Sequence, residues 1–288
     1  MSQSRPLVIH DPREMREWVR SVQSQGQRVG VVPTMGALHA GHLSLARAAR
    51  EQCDRCVTTI FVNPTQFAPT DDLAKYPRTL EADLDQLASV QCDVAFVPTV
   101  EAMYGPSFST YVDPPKVAEP LEGSFRPGHF RGVCTVVLKL LNIVPADVAV
   151  FGAKDYQQAM VVRHMVRDLA VGTRIDVRPT IREPDGLAMS SRNTYLSADE
   201  RTRALALSQA LLACVSAAEQ GECNRERLEA AMHRVLAPAC DSIDYAVVVD
   251  ADSLECRDVV ESESVALIAA RIGSTRLIDN RVFRVATR

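Results

Sequence analysis

Long apolar runs are missing from this sequence. None approaches the ~20 residues needed to cross a bilayer, and the start, Met1-Ser2-Gln3-Ser4-Arg5, lacks the apolar core of a secretory signal. A cytoplasmic location with no membrane partner is therefore expected. Lysine is scarce as well: Lys75, Lys116, Lys139 and Lys154 are the only ones among 32 basic residues, and the rest are arginine. No basic stripe forms, and with a net charge of −4 nucleic acid is not expected as a partner. The eight cysteines, at 53, 56, 92, 134, 214, 223, 240 and 256, are scattered among apolar residues. Cys53-x-x-Cys56 is the one close pair, and without a second pair or a histidine cluster at zinc spacing the cysteines read as reduced, mostly buried thiols. Internal repeats and low-complexity tracts are absent, and no Ser-His-Asp or reactive-cysteine constellation stands out.

What remains is the composition of an ordinary globular protein, 47% hydrophobic and 24% charged over 288 residues. A chain of that length buries roughly 75% of its unfolded surface, so it needs no disulfide or structural metal to fold. Asp11 followed by Pro12 opens a helix expected to run to about residue 24. Strands expected at 29–32, 56–62, 94–97, 147–151 and 174–179 then alternate with helices ending near 52, 89, 143 and 169. The stretch from 101 to 128 is rich in proline and glycine and reads as a long, partly ordered excursion. The alternation predicts an α/β fold with a Rossmann-like, doubly wound parallel sheet. After residue 180 the pattern changes to helices at 197–219 and 225–236, then strands at 243–249, 265–272 and 275–279. That order predicts a smaller C-terminal α+β domain with an antiparallel sheet, giving domains 1–180 and 181–288.

Three polar clusters fall at strand ends or in loops. In the first, an apolar run breaks at Pro33 and crosses Met35, Gly36, His39, Gly41 and His42 before helical spacing resumes at Leu43. A helix starting there points unpaired N–H groups and its positive dipole end at an anion, and Gly41 lets a phosphate approach the backbone. Asn63 and Gln66 follow the next strand, where a ligand sits in an open α/β sheet. The second cluster, Gly152-Ala153-Lys154-Asp155-Tyr156-Gln157-Gln158, repeats the strand-glycine-polar-helix design. Here Lys154 offers a point charge for phosphate, Asp155 an acceptor for a ribose hydroxyl, and Gln158 an amide facing the crevice. The third, Met189-Ser190-Ser191-Arg192-Asn193, sets hydroxyls beside a guanidinium as a movable phosphate clamp, a lid over a nucleotide held by the first domain. Taken singly, each has a plain structural explanation: surface histidines, a charge pair capping a helix, a polar turn.

In this order, the clusters resemble the nucleotidylyl-transferase superfamily and, more narrowly, the pantothenate synthetase family. The resemblance rests on residues 33–42, on Phe61-Val62-Asn63-Pro64-Thr65-Gln66-Phe67, on Tyr76-Pro77-Arg78-Thr79, on residues 126–132, on Lys154-Asp155-Tyr156-Gln157-Gln158 and on residues 189–193. It implies an ATP-dependent ligase that joins pantoate to β-alanine through pantoyl adenylate, releasing AMP and pyrophosphate, with Mg²⁺ accompanying ATP. It further implies that His39, His42, Lys154, Ser190, Ser191 and Arg192 stabilise charge on the ATP phosphates. Met35, Gly41, Gly152, Asp155 and Met189 would complete the nucleotide site. Gln66 and Gln158 would bind pantoate, with Asn63 nearby and Pro33 and Met35 as an apolar wall. Arg192 and Tyr76 would receive β-alanine, Asp83 would contact magnesium, and two copies would form a homodimer. The chain departs from the family pattern at Ala153, where Glu or Gln is usual, and at Ala82, which leaves only Glu81 and Asp83 of an acidic run. Two other readings of the clusters stay open: a transferase that releases its nucleotidylated product without making an amide, and a non-catalytic nucleotide or RNA sensor.

Overall fold

The computed structural model describes residues 4–67, 73, 76–260 and 263–285. They divide into two compact units, Met1–Gly152 with Gln157–Pro179, and Ala153–Tyr156 with Thr180–Arg288. Against the expected 1–180 and 181–288, Thr180 and the short segment carrying Lys154 group with the C-terminal unit.

The first unit is a six-stranded sheet of β1 (Leu7–Ile9), β2 (Val29–Thr34), β3 (Arg55–Ile60), β4 (Val94–Phe96), β5 (Val148–Gly152) and β6 (Arg174–Arg178). The strand order is β1-β4-β3-β2-β5-β6 and every neighbouring pair is parallel. The order reverses between β2 and β5, and such a reversal opens a crevice beyond the carboxyl ends of those two strands. The helices are α1 (Pro12–Ser24), α2 (Ala40–Gln52), α3 (Leu80–Ser89), the single turns α4 (Val100–Met103) and α5 (Glu122–Phe125), α6 (His129–Ile143) and α7 (Tyr156–Asp168).

Local chemistry explains these elements. Asp11 caps α1 by accepting from the N–H groups of Arg13 and Glu14 at 2.7 and 3.0 Å, and Met15, Val19 and Val22 bury one face of that helix. Strands β2, β4 and β5 are mostly apolar and buried, as strands covered on both sides require, whereas the edge strand β6 carries Arg174, Asp176 and Arg178. Strand β1 was not expected, because three residues at a sheet edge carry too little period to register. Helix α6 begins four residues before the expected 133, since Gly128 takes a left-handed φ of 81° and turns the chain into it.

The second unit packs α8 (Ala198–Glu219) and α9 (Arg225–Leu236) on an antiparallel sheet of β7 (Ser242–Asp250), β8 (Ser264–Ile272) and β9 (Thr275–Phe283). Ser197 and Glu200 cap α8 reciprocally. Strand β9 continues four residues past its expected end at 279. Asp and Asn are poor strand formers, yet Asp279 and Asn280 are both buried within the strand. Among the described residues no helix is long and apolar enough to cross a membrane. Five cysteines are buried, whereas Cys223 and Cys256 are exposed.

Helix α6 crosses the turn after β3 at Gly132, where a Cβ would meet Thr65 O at 2.3 Å and the Gln66 Cα at 2.7 Å. Gly132→Ala is expected to lower stability by roughly 1–3 kcal/mol through backbone displacement. Urea unfolding measures this, and a midpoint unchanged from the parent would contradict the close approach.

Candidate active site

In the first unit the site is built on the loop that leaves β2. Thr34 anchors its start, donating to Thr59 O at 2.6 Å and accepting from the Gly36 N–H at 3.2 Å. Gly36 and Ala37 then both adopt left-handed conformations, with φ of 82° and 49°. No ladder satisfies amides in such a turn, and the Asp83 side chain of α3 does so: Oδ2 accepts from the Ala37 N–H at 3.1 Å and Oδ1 from the Leu38 N–H at 2.8 Å. Gln86 of the same helix donates to Leu38 O at 3.1 Å. The magnesium contact expected of Asp83 does not fit this arrangement. The residue is 1% exposed, and its carboxylate, which also accepts from the Thr79 hydroxyl, is engaged by the loop. Among the described residues no group of three His, Cys, Asp or Glu side chains is placed to hold a metal ion.

Held this way, the loop delivers His39 as the N-cap of α2. His39 Nδ1 accepts from the Gly41 N–H at 3.2 Å, and His42 Nδ1 accepts from the His39 N–H at 3.4 Å. A nitrogen that accepts carries no proton, so in both rings the N–H is at Nε2. The rings lie 4.1 Å apart. Gly41 is required on steric grounds, because a Cβ there would sit 2.9 Å from the His39 ring. No acidic residue occupies the first turn of α2 itself.

Gln66 is positioned next to this loop by its neighbours. Asn63, expected as a substrate contact, is 1% exposed. Its Nδ2 donates to Gln66 Oε1 at 3.0 Å and to Gly132 O at 3.3 Å, while its Oδ1 accepts from Tyr104 and Thr65. Asn63 therefore orients Gln66 rather than facing a ligand. With Oε1 engaged, Gln66 presents Nε2, which lies 3.3 Å from Met35 Sδ. His129 supports the backbone from the other side: Nδ1 donates to Gln66 O at 2.9 Å, and Nε2 accepts from Arg126 at 3.1 Å. Beside them a cavity of about 340 Å³ is lined by Gln66, Phe67, Tyr111, Arg126, His129 and Arg131 among others. Pro33, expected to break the strand, lies within β2 one residue before its end at Thr34, and Tyr76 packs edge-on against Phe67. Gln158 is half-buried on α7, whereas its neighbour Gln157 is structural, holding the excursion through Val117 O and Pro120 O.

The second unit holds the remaining cations. Lys154 and Asp155 lie in a one-turn helix directly after Gly152, with Nζ 3.8 Å from the Asp155 carboxylate. Ser190 caps the turn Ser191–Tyr195, its hydroxyl accepting from the Arg192 N–H at 3.3 Å, and the Arg192 side chain is exposed. The stem of this loop is a small hairpin, in which Met189 N donates to Ile181 O and Glu183 N to Leu187 O. Arg201 clamps the hairpin through Glu183 and Asp185, both at 2.7 Å, and its hydrogen bond holds the Glu183 carboxyl below the usual range. Asn193 ties the loop to its stem through Glu183 and the Ala188 carbonyl.

Sequence reasoning missed the supports. Asp83 was assigned a different task, and Gln86, Tyr104, Arg182, Asp279 and Asn280 went unnoticed. The readable signal was a pair of poor strand formers, Asp279 and Asn280, between the apolar Leu277-Ile278 and Val282-Phe283 of one strand.

The family described as pantoate-beta-alanine ligase matches residues 7–282 of the chain. A pantothenate synthetase from Rhodopirellula baltica is 52% identical over 275 residues, covering 94% of this chain and 97% of the relative. One from Caulobacter vibrioides is 49% identical, covering 96% and 98%. The crystal structure of pantothenate synthetase from Thermus thermophilus superposes with a TM-score of 0.91 at 40% identity, covering 96% of this chain and 98% of the other. A pantoate-beta-alanine ligase from Francisella tularensis, complexed with β-γ ATP and β-alanine, gives a TM-score of 0.78 at 34% identity, covering 96% and 97%.

The grip of Asp83 on the loop can be tested without any substrate. Asp83→Asn keeps the shape but sets an amide donor against a backbone donor, so stability is expected to drop by about 1–3 kcal/mol, with faster hydrogen exchange at Ala37 and Leu38. Parent-like exchange at both amides would show that another group holds the turn.

Proposed function

The chain belongs to the pantoate-beta-alanine ligase family, and from that premise we propose which of its residues carry out the two steps of the reaction. The overall reaction is the ATP-dependent joining of pantoate to β-alanine. It sets aside both release of a nucleotidylated product and a purely sensory role.

In the first step a pantoate carboxylate oxygen attacks the α-phosphorus of ATP, the bond to the pyrophosphate oxygen breaks, and pantoyl adenylate forms. In the second, the β-alanine amine attacks the acyl carbon, AMP leaves with that oxygen, and the amine proton passes to solvent. Neither step needs a covalent enzyme nucleophile; both need position and positive donors. His39 and His42 offer Nε2–H donors to the phosphates, beside the N-terminus of α2. Lys154, Ser190, Ser191 and Arg192 supply the second set of donors, with Met35, Gly41, Gly152, Asp155 and Met189 completing the nucleotide site. Gln66, oriented by Asn63, and Gln158 receive pantoate against Pro33 and Met35. Tyr76 and Arg192 receive the β-alanine carboxylate.

Mg²⁺ would accompany the nucleotide, bound chiefly by its phosphates and by water, as is usual for this ion. A homodimer and a cytoplasmic location belong to the same proposal. The observation that carries the reading is the paired Nδ1 acceptance of His39 and His42, which leaves the ring proton of each at Nε2 beside the N-terminus of α2.

Pantoate-dependent exchange of label between pyrophosphate and ATP isolates the first step. In His42→Ala its rate is expected to fall about 10²- to 10³-fold, the usual cost of losing one preorganised donor, with the fold intact by circular dichroism. Near-normal exchange would remove His42 from the mechanism.

A further inference from the structure

We infer that Asn280, together with Asp279 beside it, is a positioning residue that fixes the Lys154 backbone in register with the loop of residues 190–192. This inference rests on the roles proposed above for Lys154 and that loop. The Asn280 Nδ2 donates to Ala153 O and to Lys154 O, each at 2.8 Å, and the residue is 5% exposed. One amide nitrogen with two hydrogens serves two successive carbonyls, which a hydroxyl, a carboxylate or an apolar side chain does not. Tyr156 fastens the end of the same short turn, its hydroxyl donating to Ala251 O at 2.8 Å.

Side chains alternate along a strand, and Asp279 serves a different segment. Its carboxylate, 3% exposed, takes Arg182 in a bidentate pair at 2.7 and 2.9 Å and accepts from the Asn280 N–H at 2.8 Å. The Arg182 guanidinium also donates to Gly186 O at 3.0 Å and to Asn280 O at 3.3 Å. Arg182 lies in the hairpin that leads to Ser190, bridged to Ala188 on its return arm. Two neighbouring residues of β9 thus hold the two cation-bearing segments of the second unit. Two buried polar side chains in mid-strand weaken the sheet unless each finds partners, and the partners found here are these two segments. Neither residue touches substrate in this role; Asn280 sets where Lys154 begins, and an ångström of misplacement can cost about 10² in rate.

Asn280→Asp keeps the volume and removes both donors, and Asn280→Ala removes them without burying a charge. In each variant kcat for pantoate-dependent ATP–pyrophosphate exchange is expected to fall about 10- to 100-fold, while KM for pantoate stays within about twofold. If Asn280 acts through Lys154, adding either substitution to Lys154→Ala should change the residual rate by less than about threefold. Losses that multiply in the double variant would mark general damage and overturn the inference, as would parent-like kcat or a rise in KM for pantoate alone. If Asn280→Asp does not fold, Asn280→Ala carries the same comparison. A parent with no exchange, or a Lys154→Ala variant with full exchange, would instead overturn the proposed function and this inference with it.

Discussion

Two backbone N–H groups in a left-handed turn, those of Ala37 and Leu38, meet one buried carboxylate, and the first unit's site depends on that meeting. A turn with φ of 82° and 49° at consecutive residues is unfavourable for alanine. The hydrogen bonds to Asp83, charge-assisted when its carboxylate is ionised, offset that cost. Fixing the turn fixes where α2 starts, which ring caps it, and which nitrogen of His39 and His42 carries the proton. Backbone conformation, tautomer and donor direction are consequences of one side chain on α3.

The same division of labour recurs. Asn63 is buried and organises Gln66, and His129 holds the Gln66 carbonyl from α6. Asn280 is buried and organises the Lys154 backbone. In each case a buried amide, imidazole or carboxylate satisfies backbone or side-chain groups that regular structure leaves open, and a more exposed neighbour is held in place. Rigid support of this kind keeps reacting groups within catalytic reach without reorganisation during the reaction. The compact units also follow chemistry more than chain order, since Lys154 lies two residues past the end of β5 yet groups with the unit that carries Ser190, Ser191 and Arg192.

Much of the fold was legible because its determinants are local or periodic. The capped start of α1, the apolar parallel strands and the change of pattern after residue 180 can all be read from spacing, and the motif residues Pro33, His39, Gly41, His42, Lys154 and residues 189–193 stand at strand ends or in loops. The supports were not legible, for a physical reason. Asp83 lies 46 residues from Ala37, and Asn280 lies 126 residues from Lys154; nothing local to either distinguishes a buried partner from a surface group. Resemblance to an acidic run of the family, broken here by Ala82, suggested a magnesium contact for Asp83, and its burial and hydrogen bonds show what it holds. The last strand was expected to end at Asp279, and it runs on through Asn280 because tertiary partners override the low strand propensity of both residues.

Activation of the acid at the α-phosphate is the chemistry proposed for this arrangement of donors, and the path of one oxygen atom tests it directly. Pantoate labelled with ¹⁸O in its carboxylate should, in a complete reaction with ATP and β-alanine, deliver one labelled oxygen to the AMP formed, because the attacking oxygen leaves on phosphorus when the amide bond is made. AMP free of label, or ADP and phosphate in its place, would contradict an adenylate intermediate.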